Sequence, residues 1–149
     1  MNRCDCMMFL TEDQKKKINS YRFDPRNGIG LSFRDELYAA MKRHRIATMA
    51  QLSVKTRSKV SESFLSKIVN KNSTNNRDAL WAIAIAMRMD MTETSRLFCS
   101  AGQSFDARIT PKMFDREKFI KAFIRFGIWD IDELDEQLES NGMNKLCQN

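Results

Sequence analysis

The stretch SESFLSKIVNKN, residues 61–72, sets Ser61, Glu62, Ser63 and Lys67 apart from Phe64, Leu65, Ile68 and Val69 when it is wound at helical spacing. Short hydroxyls, a carboxylate and an ammonium near the start of a helix are groups that bond to base edges in a major groove. Glu62 would accept from a cytosine amino group, and Lys67 would reach guanine or a phosphate. Periodicity by itself fits equally the solvated side of a helix that only plugs a core. Around the segment, Lys55, Arg57, Lys59, Lys71 and Arg77 put cations where phosphates would pass. Each such contact adds salt-dependent, sequence-blind affinity.

The charge distribution favours the first of these readings. Residues 32–77 hold ten Lys and Arg against three Asp and Glu, a net +7 in a chain whose total is +6, while residues 114–149 hold five against eight. A basic segment followed by an acidic end points to a polyanion-binding face on one side of the molecule.

Other chemistry has little to stand on. The single histidine, His44, lies between Arg43 and Arg45 with no Ser/His/Asp or His/carboxylate arrangement to use it, and reads as a helix-end residue. Asp132 and Glu136 share a helical face at i, i+4, a pattern that solubilises far more often than it catalyses. Phosphate-cradling glycine loops are absent. Cys4, Cys6, Cys99 and Cys147 contain no Cys-x-x-Cys pair, so they read as reduced thiols rather than as metal ligands. The expectation is a protein that is not an enzyme and uses no metal or cofactor.

The elements that would position the polar face are helical throughout. Residues 1–31 read as an N-terminal arm in which Thr11 and Gln14 form a capping-box pattern, followed by a loop at FDPRNGIG, 23–30. Ser32 can cap a helix carrying Phe33, Leu37, Ala40 and Met41 on one stripe. Thr48 can cap a short one through Leu52, and Ser58 or Ser61 the helix of segment 61–72. Asn76 or Asp78 can start the run Ala79 to Met87, apolar nearly all round and therefore a central, buried helix. Asp90 with Glu93 opens the next, closed by Gly102. QSFDARITPKM, 103–113, reads as a linker. Asp115 then opens a helix that Gly127 closes, and Asp130 with Glu133 opens a last one, ended by Gly142. No sustained alternation suggests strands, so the class is all-α.

No run approaches the roughly 20 apolar residues of a membrane span, and the start MNRCDCMMFLTEDQKKK lacks the order of a secretory signal. A cytoplasmic protein with no membrane partner is expected.

The order helix, short helix, turn, helix with a Leu-Ser-Lys-Ile pattern, polar loop, buried helix, helix over residues 32–102 resembles the lambda-repressor-like (Cro/XRE-type) helix-turn-helix domain. The resemblance is carried by SESFLSKIVNKNSTNNRDALWAIAIAMRMDMTETSRLFCSAG: Ser61, Leu65, Lys67, Ile68 and Asn70, then Arg77 and Asp78, match that family's recognition helix, its exit and the next helix. Helices at 115–127 and 130–142, within residues 103–149, are laid out like the extension that often follows it. Two departures stand out. The turn before residue 61 is long and lacks glycine, and Lys71 replaces the family's glycine, so a left-handed exit is not expected there.

The resemblance implies a five-helix domain followed by two extra helices. It also implies a transcriptional regulator, most simply a repressor, that binds double-stranded DNA through Ser61, Glu62, Ser63 and Lys67. Two copies would pair through the C-terminal helices. The alternative is an interaction module or adaptor that keeps the fold without reading DNA.

Overall fold

The computed structural model describes residues 11–22, 31–106 and 111–147, with side chains from 18 to 22 and 111 to 114 left out of account. The loop expected at 23–30, Cys4 and Cys6, and part of the expected linker lie outside the described residues. The chain divides into two compact units, Met1–Leu31 and Ser32–Asn149. In the first, α1 (Glu12–Arg22) begins with the reciprocal bonds of a capping box: Thr11 N–H donates to Gln14 Oε1 at 3.0 Å, and Gln14 N–H to Thr11 Oγ1 at 3.2 Å.

The second unit is built of α2 (Phe33–Arg43), α3 (Met49–Lys55), α4 (Glu62–Lys71), α5 (Arg77–Ala86), α6 (Met91–Ser100), α7 (Pro111–Arg125) and α8 (Ile131–Ser140). Among the described residues there is no strand, so the protein is all-α. None of these helices is long and apolar enough to cross a membrane.

Helix starts follow side-chain chemistry. Ser32, Thr48, Ser61, Asn76, Asp90 and Asp130 each accept the N–H of the third residue on, satisfying a donor the helix cannot pair itself. Of the paired candidates, Ser61 rather than Ser58 and Asn76 rather than Asp78 make the cap. One expected start is corrected: α7 begins at Pro111, not Asp115, so the expected linker ends earlier than residue 113. Proline suits a first helical position, where its missing N–H is no loss.

Helix ends use one device with several residue types. Gly102, Gly127 and Gly142 take φ between +70° and +80°, but Arg45, Arg57, Asn72 and Arg88 do the same work at φ +51° to +59°. After α4, Asn72 N–H reaches Val69 O and Ser73 N–H reaches Ile68 O, the paired bonds of a Schellman end. The exit from α4 is therefore left-handed after all. Asparagine supplies it one position beyond Lys71.

The core sits around α5. Every residue from Ala79 to Ile85 is buried, and Trp81 lies 4.5 Å from the Phe98 ring and 5.7 Å from that of Phe105. The acid-rich end is part of the same unit: Ile120, Ile124, Ile131, Leu134, Leu138 and Leu146 join this core.

Candidate nucleic-acid interface

α4 is fixed by its inner side. Leu65, Ile68 and Val69 are buried and Phe64 half-buried, while α3 and α2 pack against the helix. Phe64, expected inside with the others, is only partly so.

Both ends of α4 are also held, the C-terminal one by a distant part of the chain and the N-terminal one by the turn that leads into it. At its C-terminus, Arg34 Nε donates to Val69 O at 3.1 Å and Nη2 to Asn70 O at 3.3 Å, and Arg34 N–H donates to Asn72 Oδ1 at 2.7 Å. Arg34 thus gives the Asn70 carbonyl a donor the helix cannot supply and adds a second donor to the Val69 carbonyl, which already accepts Asn72 N–H. At its N-terminus the turn from residue 56 to 61 is braced by buried Thr56, whose Oγ1 donates to Ser53 O at 2.7 Å and accepts from Val60 N–H at 3.2 Å. Ser53 Oγ donates to Val60 O at 2.7 Å. Arg57 and Ser58 both take positive φ, so the lengthened turn is made without glycine by two residues in a conformation that costs each of them about 1–2 kcal/mol.

The outer side of α4 is open. Glu62, Ser63, Ser66, Lys67, Asn70 and Lys71 are exposed and line one shallow groove. Glu62, Ser66, Lys67 and Lys71 make no side-chain hydrogen bond or ion pair among the described residues. Ser61 is committed as the cap, with its Oγ 3.1 Å from Phe64 N and 3.2 Å from Ser63 Oγ. Lys55 is exposed on α3.

Two of the expected phosphate ligands are paired with carboxylates of the protein itself. Arg77 is enclosed: Nε donates to Glu117 Oε2 at 2.7 Å, Nη2 to Glu117 Oε1 at 2.6 Å, and Nη1 to Ser104 O at 2.7 Å, with the guanidinium 4.9 Å from the Phe98 ring centroid. Its donors are already spoken for, and a phosphate would have to displace a buried carboxylate. Lys59 lies 2.6 Å from Asp135 Oδ2, a carboxylate that is itself buried. Arg57 is the intermediate case, 3.4 Å from exposed Asp132. Lys55 and Lys71 remain available.

The acidic end is thereby drawn to the turn before α4. Asp135 Oδ1 accepts the Leu146 N–H, and Asp78 accepts from both Arg116 and the Cys147 N–H. Cys147 sits beside this network, and burial, reinforced by the nearby Asp78 carboxylate, pushes its thiol up to about 11. His44 caps α2, as expected of a helix-end residue, and its Nε2 is 3.0 Å from Glu93 Oε2. Sequence reasoning missed Arg34, although a basic residue in a first helical turn opposes the helix dipole and so signals an outside partner. It also missed Glu117, Asp132 and Asp135 as partners, for which no local spacing gives a signal. In comparisons with known proteins, no family model, no curated sequence and no solved structure matches the chain.

Proposed function

We propose that the protein is a sequence-specific DNA-binding regulator, most simply a repressor, acting in the cytoplasm with residues 32–102 arranged as a lambda-repressor-like helix-turn-helix domain. In this reading α3 crosses the backbone and α4 enters the major groove. The observation that carries it is α4 itself. A helix locked by its buried side and both ends presents an unengaged row of short polar and basic groups to solvent. Ser63, Glu62 and Lys67 would read base edges, with Ser61 restricted to its outward lone pair because its hydroxyl caps the helix. Lys55 and Lys71 would hold phosphates. A short helix reads few bases, so two copies are expected on two half-sites. Phe126 and Ile128, exposed between α7 and α8, give the second copy an apolar surface.

A labelled duplex from the chain's own upstream region, titrated at several salt concentrations, tests this. Lys67→Ala and Ser63→Ala should each cost about 1–3 kcal/mol and relax preference at one position, whereas Lys71→Ala should weaken all sequences alike and lower the salt slope by about 1. Weak, sequence-blind binding that neither Lys67→Ala nor Ser63→Ala alters would leave the second reading, an interaction module. The pairing of Arg57 and Lys59 with the protein's own carboxylates favours that alternative.

A further inference from the structure

Two cations of the α3–α4 turn face carboxylates of α8, and the two pairs differ in kind. Lys59 and Asp135 are part of the packing, with side chains 24% and 8% exposed and Asp135 also holding the Leu146 N–H. Arg57 and Asp132 are each 66% exposed with Nε and Oδ2 3.4 Å apart. A pair of that second kind is weakly held and exchangeable. Glu136 and Glu139 line the same groove as Asp132, Asp135 and Lys59, so α8 lays a row of carboxylates beside the turn that leads into α4.

We propose that α8 acts as an internal polyanion competing with the nucleic-acid backbone for Arg57, so that the C-terminal helix sets how tightly the chain holds its ligand. The inference rests on the DNA-binding reading above. Asp132 has the advantage of being tethered, which makes its encounter with Arg57 intramolecular. A DNA phosphate gains instead from the counterions it sheds when Arg57 replaces them. At low salt the second effect grows. Removal of the Asp132 charge should release Arg57 to the backbone, while Lys59 stays where it is. A cationic partner that covered the carboxylates of α8 would have the same effect, which makes the contact a point at which binding can be regulated.

The test is a double-mutant cycle of Asp132→Asn and Arg57→Ala, read by titrating a DNA duplex and, separately, an inorganic polyphosphate chain between about 50 and 200 mM salt. Both side chains are exposed, so all four proteins should fold, and far-ultraviolet circular dichroism checks that they do. Asp132→Asn should tighten binding about two- to five-fold and steepen the salt slope by about 0.9. Neither change should appear when Arg57 is already alanine. A gain of equal size with and without Arg57 is a general effect of net charge and overturns the proposal, as does the lack of any gain with both polyanions. If polyphosphate shows the Arg57-dependent gain but no duplex is bound, the competition stands and the DNA reading falls. If sequence-selective duplex binding is seen and Asp132→Asn leaves it unchanged, the DNA reading stands and the competition falls.

Discussion

Replacing Arg77 by alanine separates a structural cation from a nucleic-acid ligand without any DNA in the tube. The substitution removes both bonds to Glu117, at 2.6 and 2.7 Å, and those to the carbonyls of Ser104 and Phe105. It also strands Glu117, which is only 6% exposed, with no other hydrogen bond or ion pair among the described residues. Breaking a buried pair from one side costs about 3–5 kcal/mol, because the remaining carboxylate keeps its desolvation penalty. That is a large share of the roughly 5–15 kcal/mol that holds a domain of this size together. An exposed arginine reserved for phosphates would instead change stability by no more than about 0.5 kcal/mol. Urea unfolding of the free protein, followed by circular dichroism, measures the difference directly. Arg77→Met with Glu117→Leu should recover most of the loss, since two apolar side chains leave no charge unpaired. A loss below about 1 kcal/mol for Arg77→Ala would show that the guanidinium is not held as described.

Two further substitutions probe the ends of the site. Asn72→Gly keeps an easy left-handed residue and loses only the bond to Arg34 N–H, costing about 1 kcal/mol, whereas Asn72→Ala adds backbone strain for a total of about 2–3 kcal/mol. Denaturant midpoints that rank alanine as the milder change would contradict the left-handed exit from α4. The Cys147 thiol is held up to about 11 from its ordinary 9.0. The folded chain therefore keeps that proton after the unfolded chain has released it, so this group's contribution to stability is full below about pH 9 and is lost as the pH rises towards 11. In a variant with Cys4 and Cys6 changed to serine, a thiol reagent at pH 8 should label exposed Cys99 first. Equal labelling rates would contradict the partial burial of Cys147.

What could be read from the chain was what is decided within a few residues. Caps at Ser32, Thr48, Asp90 and Asp130 follow from a side chain meeting a backbone N–H three positions on, and the burial of Ala79 to Ile85 follows from apolarity on all sides. Glycine endings were legible because glycine is cheap at positive φ. The endings at Arg45, Arg57, Asn72 and Arg88 were not, because packing imposes that conformation on residues that do not announce it. The same limit hid the roles of Lys59 and Arg77. A basic residue near a helix start looks alike in sequence whether it meets a phosphate or a carboxylate. Asp135 lies in α8 and Glu117 in α7, far along the chain from the cations they hold.

This has a consequence for how strongly the basic segment can attract a polyanion. The net +7 of residues 32–77 counts charges, but Arg43, Arg57, Lys59 and Arg77 each face a carboxylate from outside that segment, and Arg34 is engaged with the end of α4. Among the described residues, Lys42, Arg45, Lys55, Lys67 and Lys71 carry no such partner, and only the last three are on α3 and α4. With Lys67 on a base edge, a single copy would then neutralise about two phosphates, three if Arg57 exchanges, giving a salt slope near −2 to −3. Over a fourfold range of salt such a slope changes affinity by only about 10- to 40-fold, so backbone attraction alone leaves binding modest at physiological salt. Tight binding would have to come from base contacts along α4 or from a second copy on an adjacent half-site. The acids that fold the C-terminal extension onto the bundle would thus, in the DNA-binding reading proposed above, also keep the basic face from holding any polyanion indiscriminately.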